Sequence, residues 1–197
     1  MKLDYYLAKR PLPGHKESEC GDTGLIKEFG QKVFIAIADV LGHGKDAHRL
    51  ASITKRYLQK NYRKSLIGIV EGLHAHIKSS VGEVLAVCLL DIKSGQLRCV
   101  GVGNITIRKF GASAIKMVSR SGIVGYVMPT PKEEIIQLHN DDVLMLYTDG
   151  VKSHFELEDY PELLKDDAKT VATYIIHQFG KEEDDAACIT LRYQGEG

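Results

Sequence analysis

The chain has 197 residues with 26 Lys plus Arg against 26 Asp plus Glu, and it is 44% hydrophobic and 26% charged, which is ordinary globular usage. The balance leaves no global field to attract nucleic acid or an anionic membrane surface, and no apolar run approaches the roughly 20 residues that span a bilayer. The N-terminus lacks the apolar segment of a signal peptide, so the expectation is a cytoplasmic protein with one domain over residues 1–197, its oligomeric state left open with a monomer favoured.

The first strands are expected at Leu25 to Phe29 and Val33 to Ala38, joined as a hairpin at Gly30-Gln31. After Gly44 the period changes: Ala47, Leu50, Ala51, Ile53, Tyr57 and Leu58 recur at helical spacing up to Tyr62. A second helix is expected from Ser65, as N-cap, to Lys78. His74 and His76, two apart on it, cannot share a face to hold a metal. Val84 to Ile92 reads as a central strand ending in a hairpin signal, Asp91-Ile92-Lys93-Ser94-Gly95. Strands at Gln96 to Val102, Ile105 to Phe110 and Ala114 to Val118 follow. Glu134 to Leu138 and Val143 to Thr148 are read as a hairpin around His139-Asn140-Asp141-Asp142. A helix from Asp167 to Phe179 and a strand from Ala186 to Tyr193 complete the chain. This order describes an α+β layered sandwich, not a strict β-α-β alternation. Cys20, Cys88, Cys99 and Cys188 form no CxxC pair or zinc spacing and read as reduced, mostly buried thiols. Cys88 and Cys99 could be neighbours across a hairpin.

Acidic residues stand where apolar runs stop. Asp22 follows Cys20-Gly21, Asp39 ends Val33 to Ala38, Asp149 ends Val143 to Thr148, and Asp184-Asp185 precedes Ala186. Carboxylates gathered at strand ends repel one another unless a cation sits between them, which points to a hydrolytic site for Mg²⁺ or Mn²⁺. Each piece has a plainer reading: Asp39-Val40-Leu41-Gly42-His43-Gly44 as a strand-to-helix connection, Asp149-Gly150 as a turn, and Lys181 to Asp185 as a solvated acidic loop. Their shared position at strand ends strengthens the set.

Taken together, Gly21-Asp22, Ala38-Asp39-Val40-Leu41-Gly42-His43-Gly44, Leu146-Tyr147-Thr148-Asp149-Gly150, Asp184-Asp185 and the hairpin Leu90 to Leu97 resemble the PPM family of metal-dependent serine/threonine protein phosphatases. The likeness is to its bacterial sporulation and stress-response branch and runs from about Glu19 to Arg192. It implies a four-layer α/β/β/α sandwich of two antiparallel sheets flanked by helices. It also implies that Asp39 bridges two Mn²⁺ or Mg²⁺ ions, that the Val40 carbonyl adds a ligand, that Asp149 and Asp184 complete one shell, and that Asp22 sits beside the second ion. Water activated between two such ions would attack phosphorus in line with the departing serine or threonine oxygen. His43 is the candidate acid or phosphate contact, set against a loop histidine with structural hydrogen bonds.

Two departures stand out. Val102-Gly103-Asn104 replaces the Ala-Gly-His of many relatives, and Asp184-Asp185-Ala186-Ala187 replaces Asp-Asp-x-Thr. The Val102-Gly103-Asn104 variant, with the expectation of no appended sensor domain, makes the chain look most similar to the small stressosome phosphatases of the sigma-B stress pathway. The resemblance implies phosphorylated stressosome scaffold proteins as substrates, with neither nucleic acid nor membrane as partner. The alternatives are a catalytically weak relative serving as a phosphoprotein-binding module and, less favoured, a two-metal nuclease or phosphodiesterase.

Overall fold

A computed structural model describes residues 3–117, 119–152 and 155–195. The elements in order are β1 (Asp4–Arg10), β2 (Asp22–Phe29), β3 (Lys32–Val40), α1 (Lys45–Asn61), α2 (Leu66–His76), β4 (Glu83–Asp91), β5 (Gln96–Val102), β6 (Thr106–Phe110), β7 (Ile115–Met117), β8 (Glu134–Gln137), β9 (Val143–Tyr147), α3 (Ala168–Phe179) and β10 (Ala186–Arg192), with three short 3-10 turns between them. They form two antiparallel five-stranded sheets, β1-β10-β9-β6-β7 and β2-β3-β4-β5-β8.

Period-2 alternation sorts the side chains into layers. Along β3, Val33, Ile35 and Ile37 face the other sheet, where they meet Leu144, Leu146, Ile189 and Leu191. Phe34, Ala36 and Ala38 turn the opposite way, against Leu50, Leu58, Ile69 and Leu73 of α1 and α2. Met145 and Tyr147 of β9 and Cys188 of β10 pack on Val171, Ala172 and Ile175 of α3. Both faces of each sheet are therefore covered, which explains the unbroken apolar runs at β3, β4 and β9. The result is the four-layer sandwich.

The N-caps of α2 and α3 are the side chains of Ser65, accepting from Gly68 N–H, and Asp167, accepting from Thr170 N–H. Cys88 pairs with Cys99 across β4 and β5, and all four cysteines are free and buried. Of the strand expected at Ala114 to Val118, Val118 lies outside the described residues.

One expected pairing is corrected. The strands flanking His139 to Asp142 do not form a hairpin: β8 pairs with β5, as in Leu97↔Ile136, while β9 lies between β6 and β10 in the other sheet. The connection crosses between sheets, and the buried Asp142 anchors it by accepting from Lys109 Nζ (2.8 Å) and His139 N–H (2.9 Å). β1, not expected from the sequence, is a mixed-pattern edge strand recruited by β10. No helix among the described residues is long and apolar enough to cross a membrane.

Candidate metal centre

The hairpin of β2 and β3 sets Asp22 directly opposite Asp39, an arrangement of like charges that a sheet disfavours. The other sheet supplies its acids from adjacent strand ends, Asp149 just beyond β9 and Asp184 and Asp185 just before β10. Thr148 joins the two groups. Its hydroxyl donates to Asp22 Oδ2 (2.7 Å) and accepts from Ala187 N–H (2.9 Å). Gly150 permits the close approach, since a Cβ there would lie 1.7 Å from the Asp185 carbonyl oxygen.

The neighbouring acids Asp184 and Asp185 behave differently. Asp185 is buried and its two oxygens are taken, accepting from Leu12 N–H (2.6 Å) and Gly21 N–H (2.7 Å). It clamps the N-terminal segment and the entry to β2. Asp184 is half-buried, accepts from the Asp185 N–H (2.9 Å) and faces the cluster. Asn104, at the β5–β6 crossing, donates from Nδ2 to Asp149 Oδ2 (2.8 Å). The residue that departs from the relatives' histidine thus still offers a nitrogen donor, and it holds an acid of the cluster.

The electrostatics follow from burial and from mutual repulsion. Burial above all, then the charges of Asp149 and Asp184, a hydrogen bond with Asp149 and the charge of Asp185, push Asp39 up to about 8. Burial and the charge of Asp39 hold Asp22 well above the ordinary carboxylate range, against the Thr148 hydrogen bond. Asp184 is raised by burial and by Asp149. Among the described residues no Lys or Arg forms an ion pair with Asp22, Asp39, Asp149 or Asp184. Lys9 approaches from β1, but it engages Glu17 (2.6 Å) and the Asp22 carbonyl (3.4 Å).

Val40 closes β3, its N–H donating to the Gly21 carbonyl (3.4 Å). The turn after it needs left-handed backbone at Gly42 (φ 93°) and Gly44 (φ 87°), a region glycine enters freely. His43 on this turn is exposed, and its ring meets His15 edge-on at 5.7 Å. Among the described residues no hydrogen bond ties it to the carboxylates.

Sequence reasoning did not single out Glu83. It is fully buried opposite Val40, accepts from Thr54 Oγ1 (2.6 Å), and is raised to about 8 by burial and by Asp39, against that hydrogen bond. Its one signal in the sequence is an acid at the head of an apolar run. The roles of Asn104 and Thr148 needed the register and the sheet-to-sheet approach to be seen.

Among the described residues no three carboxyl, imidazole or thiol groups already stand at caging distance. The donor set nevertheless suits a hard divalent cation: it is all oxygen, among the described residues none of its acids is in an ion pair with lysine or arginine, and Asp22 Oδ1 is buried without a hydrogen-bond partner. A buried carboxylate oxygen left this way is costly unless a cation meets it.

Three comparisons bear on this geometry. Residues 30–194 match the family described as Stage II sporulation protein E (SpoIIE), while no curated protein matches the chain. A chain solved under the description "The bacterial stressosome: a modular system that has been adapted to control secondary messenger signaling" superposes with a TM-score of 0.89 at 26% identity, over 98% of this chain and 100% of that one. RsbX in complex with magnesium gives 0.83 at 16%, over 96% and 94%. The PP2C phosphatase domain of SpoIIE from Bacillus subtilis, with a fragment of its regulatory domain, gives 0.76 at 18%, over 98% and 63%. At their identities the last two speak for the fold alone. The acids that interrupt the apolar strands, the two-sheet sandwich that gathers them and the match over residues 30–194 converge on one assignment: the chain belongs to the Stage II sporulation protein E (SpoIIE) family, with the fold of that protein's PP2C phosphatase domain.

Proposed function

We propose that this chain is a single-domain, metal-dependent phosphatase that removes phosphate from serine or threonine of a stressosome protein. The observation that carries the reading is the convergence of Asp22, Asp39, Asp149 and Asp184 at the meeting of two sheets, without an ion pair to any of them from a lysine or arginine among the described residues. Asp39, Asp149 and Asp184, with the Val40 carbonyl, would hold one divalent cation, and Asp39 and Asp22 would face a second, Mn²⁺ or Mg²⁺. Bound there, the cations would supply acidified water and neutralise the phosphoryl oxygens.

The chain's own residues do the rest. Thr148 and Asn104 fix the oxygens of Asp22 and Asp149, so that each keeps its second oxygen for the centre. Asp39, with a pKa of about 8, gives up a proton when a cation arrives near neutral pH. His43, exposed on the turn after Asp39, is our candidate for meeting a phosphoryl oxygen. A protein substrate is supported by the surroundings: Leu41, Val81, Tyr126 and Val127 expose large apolar side chains, as expected of a surface that meets another protein. The Leu41 N–H and the Gly82 carbonyl (3.1 Å) hold part of this apolar rim beside Val40. The stressosome assignment draws on the structure at 26% identity, which is covered in full. Action in the cytoplasm is part of the same proposal.

The test is an assay of an aryl phosphate and a phosphothreonine peptide with Mn²⁺, with Mg²⁺ and with EDTA. Metal-dependent monoester hydrolysis, abolished by EDTA, is expected. Tight binding of a phosphoprotein without turnover would instead make the chain a binding module, and diester cleavage would replace the phosphatase reading.

A further inference from the structure

We propose that the cleft beside Asp149 is a side-chain subsite that takes an acidic residue lying next to the phosphorylated serine or threonine of the substrate protein. The proposal rests on the phosphatase reading above and adds a substrate preference to it. The cleft has a volume of about 260 Å³. That is below the roughly 300–1,000 Å³ of sites for small-molecule ligands and is suited to a single side chain.

Asn104 and Asp149 line the end turned to the carboxylate cluster, so a chain whose phosphorylated residue reaches the centre passes directly over the cleft. Thr106 and Tyr147, facing each other across β6 and β9, line its interior. The Tyr147 hydroxyl is buried, with Thr106 and the Arg108 guanidinium as its polar neighbours.

Lys152 and Lys181 supply the charge. A short ladder, Val151↔Gly180, sets them alongside each other: Lys152 N–H donates to the Phe179 carbonyl (2.8 Å) and Lys181 N–H to the Gly150 carbonyl (2.7 Å). Arg10 Nη2 donates to the Lys181 carbonyl, which holds this strip in place. Among the described residues no carboxylate forms an ion pair with either ammonium, and the charge of Lys181 reaches Asp184. Two uncommitted cations and two hydroxyl-bearing side chains beside an acidic centre divide an anionic substrate in two. The phosphoryl group goes to the cations of the centre and the flanking carboxylate to the lysines.

The test uses two phosphothreonine peptides of equal length, with glutamate or with lysine on both sides of the phosphorylated residue, and reads kcat/KM with Mn²⁺. The glutamate-flanked peptide is expected to be preferred about three- to tenfold, the range for one or two partly exposed ion pairs, with the ratio shrinking as salt rises. The charge-reversed K152E/K181E protein should invert the order, and K152R/K181R should keep it. Equal kcat/KM for the two peptides in the unaltered protein overturns the subsite, as does a glutamate preference that survives charge reversal in a protein shown by melting to be folded. The unaltered protein decides the matter even if the double variant does not fold. Hydrolysis without discrimination sinks the subsite alone, whereas failure to hydrolyse either peptide or an aryl phosphate sinks the phosphatase reading with it.

Discussion

The two ends of β9 handle buried charge in opposite ways. At its start, Asp142 is buried against Lys109, itself fully buried, at 2.8 Å, and also accepts from His139 N–H. At its finish, Asp149 joins Asp39, Asp184 and Asp22, and among the described residues no lysine or arginine forms an ion pair with them, although the charge of Lys181 reaches Asp184. The first end is a closed structural device that balances its charge within the protein. The second is a surplus, and burial with mutual repulsion pushes the pKa of Asp39 up to about 8 and holds that of Asp22 well above the ordinary carboxylate range. Repulsion that the protein could have relieved with one lysine, as it does at Asp142, is what the proposed divalent cation would relieve.

The comparison is tested most severely by removing a charge at each end. Asp39→Asn should lower turnover at saturating Mn²⁺ by at least about a hundredfold, since a metal's charge stabilisation is worth several kcal/mol. The same change should raise the melting temperature of the metal-free protein, because it removes a repelling acid. Near-normal turnover in Asp39→Asn would refute its place at the centre. Lys109→Met should do the reverse. It should cost about 3–5 kcal/mol in denaturant unfolding, the penalty for stranding a buried partner, with kcat of the folded fraction little altered. A stable Lys109→Met protein would break the contrast from the other side.

A smaller effect is expected at Asn104. Asn104→Ala should weaken divalent-cation affinity about 10- to 100-fold, the usual loss when a residue that orients a ligand is removed, and Asn104→His should recover part of it by restoring a nitrogen donor. Calorimetric titration with Mn²⁺ measures both, and unchanged affinity in Asn104→Ala would leave the 2.8 Å contact with Asp149 without consequence.

The remaining test is a pH slope. Asp39 and Glu83 are pushed up to about 8 when folded, against about 4 in an unfolded chain. Between those values the folded protein holds protons that the unfolded chain has released, so metal-free stability should fall as pH rises from about 4 to about 8 and then level off. Bound Mn²⁺ should flatten the Asp39 share of that slope. Stability that climbs with pH in EDTA would contradict the raised pKa values.

Much of this was legible beforehand. Apolar periodicity located both sheets' main strands and the three helices, and Ser65 and Asp167 cap where side-chain chemistry places a cap. The acids were legible because Asp39 and Asp149 interrupt apolar runs. The partners of β8 and β9 were not, because a period of two says that a strand is half-buried against something without saying against what. His139 to Asp142 carries turn residues, yet it serves as a crossing between sheets because Asp142 finds Lys109. Asp184 was told from Asp185 only through the family resemblance: by residue type they are one acidic pair, and the role of Asp185 as a clamp comes from the N–H groups of Leu12 and Gly21.

What the amino-acid sequence determined by itself was local: which segments are strands or helices, where each apolar run breaks at an acid, and, through those motifs, the family. The tertiary structure alone decided which acids act on one another's charge, that Thr148 and Asn104 hold two of them, and that lysines 152 and 181 line one cleft with Asp149. The reason is that a carboxylate's repulsion and a lysine's attraction depend on distances between strand ends, and those distances are set by packing two sheets face to face.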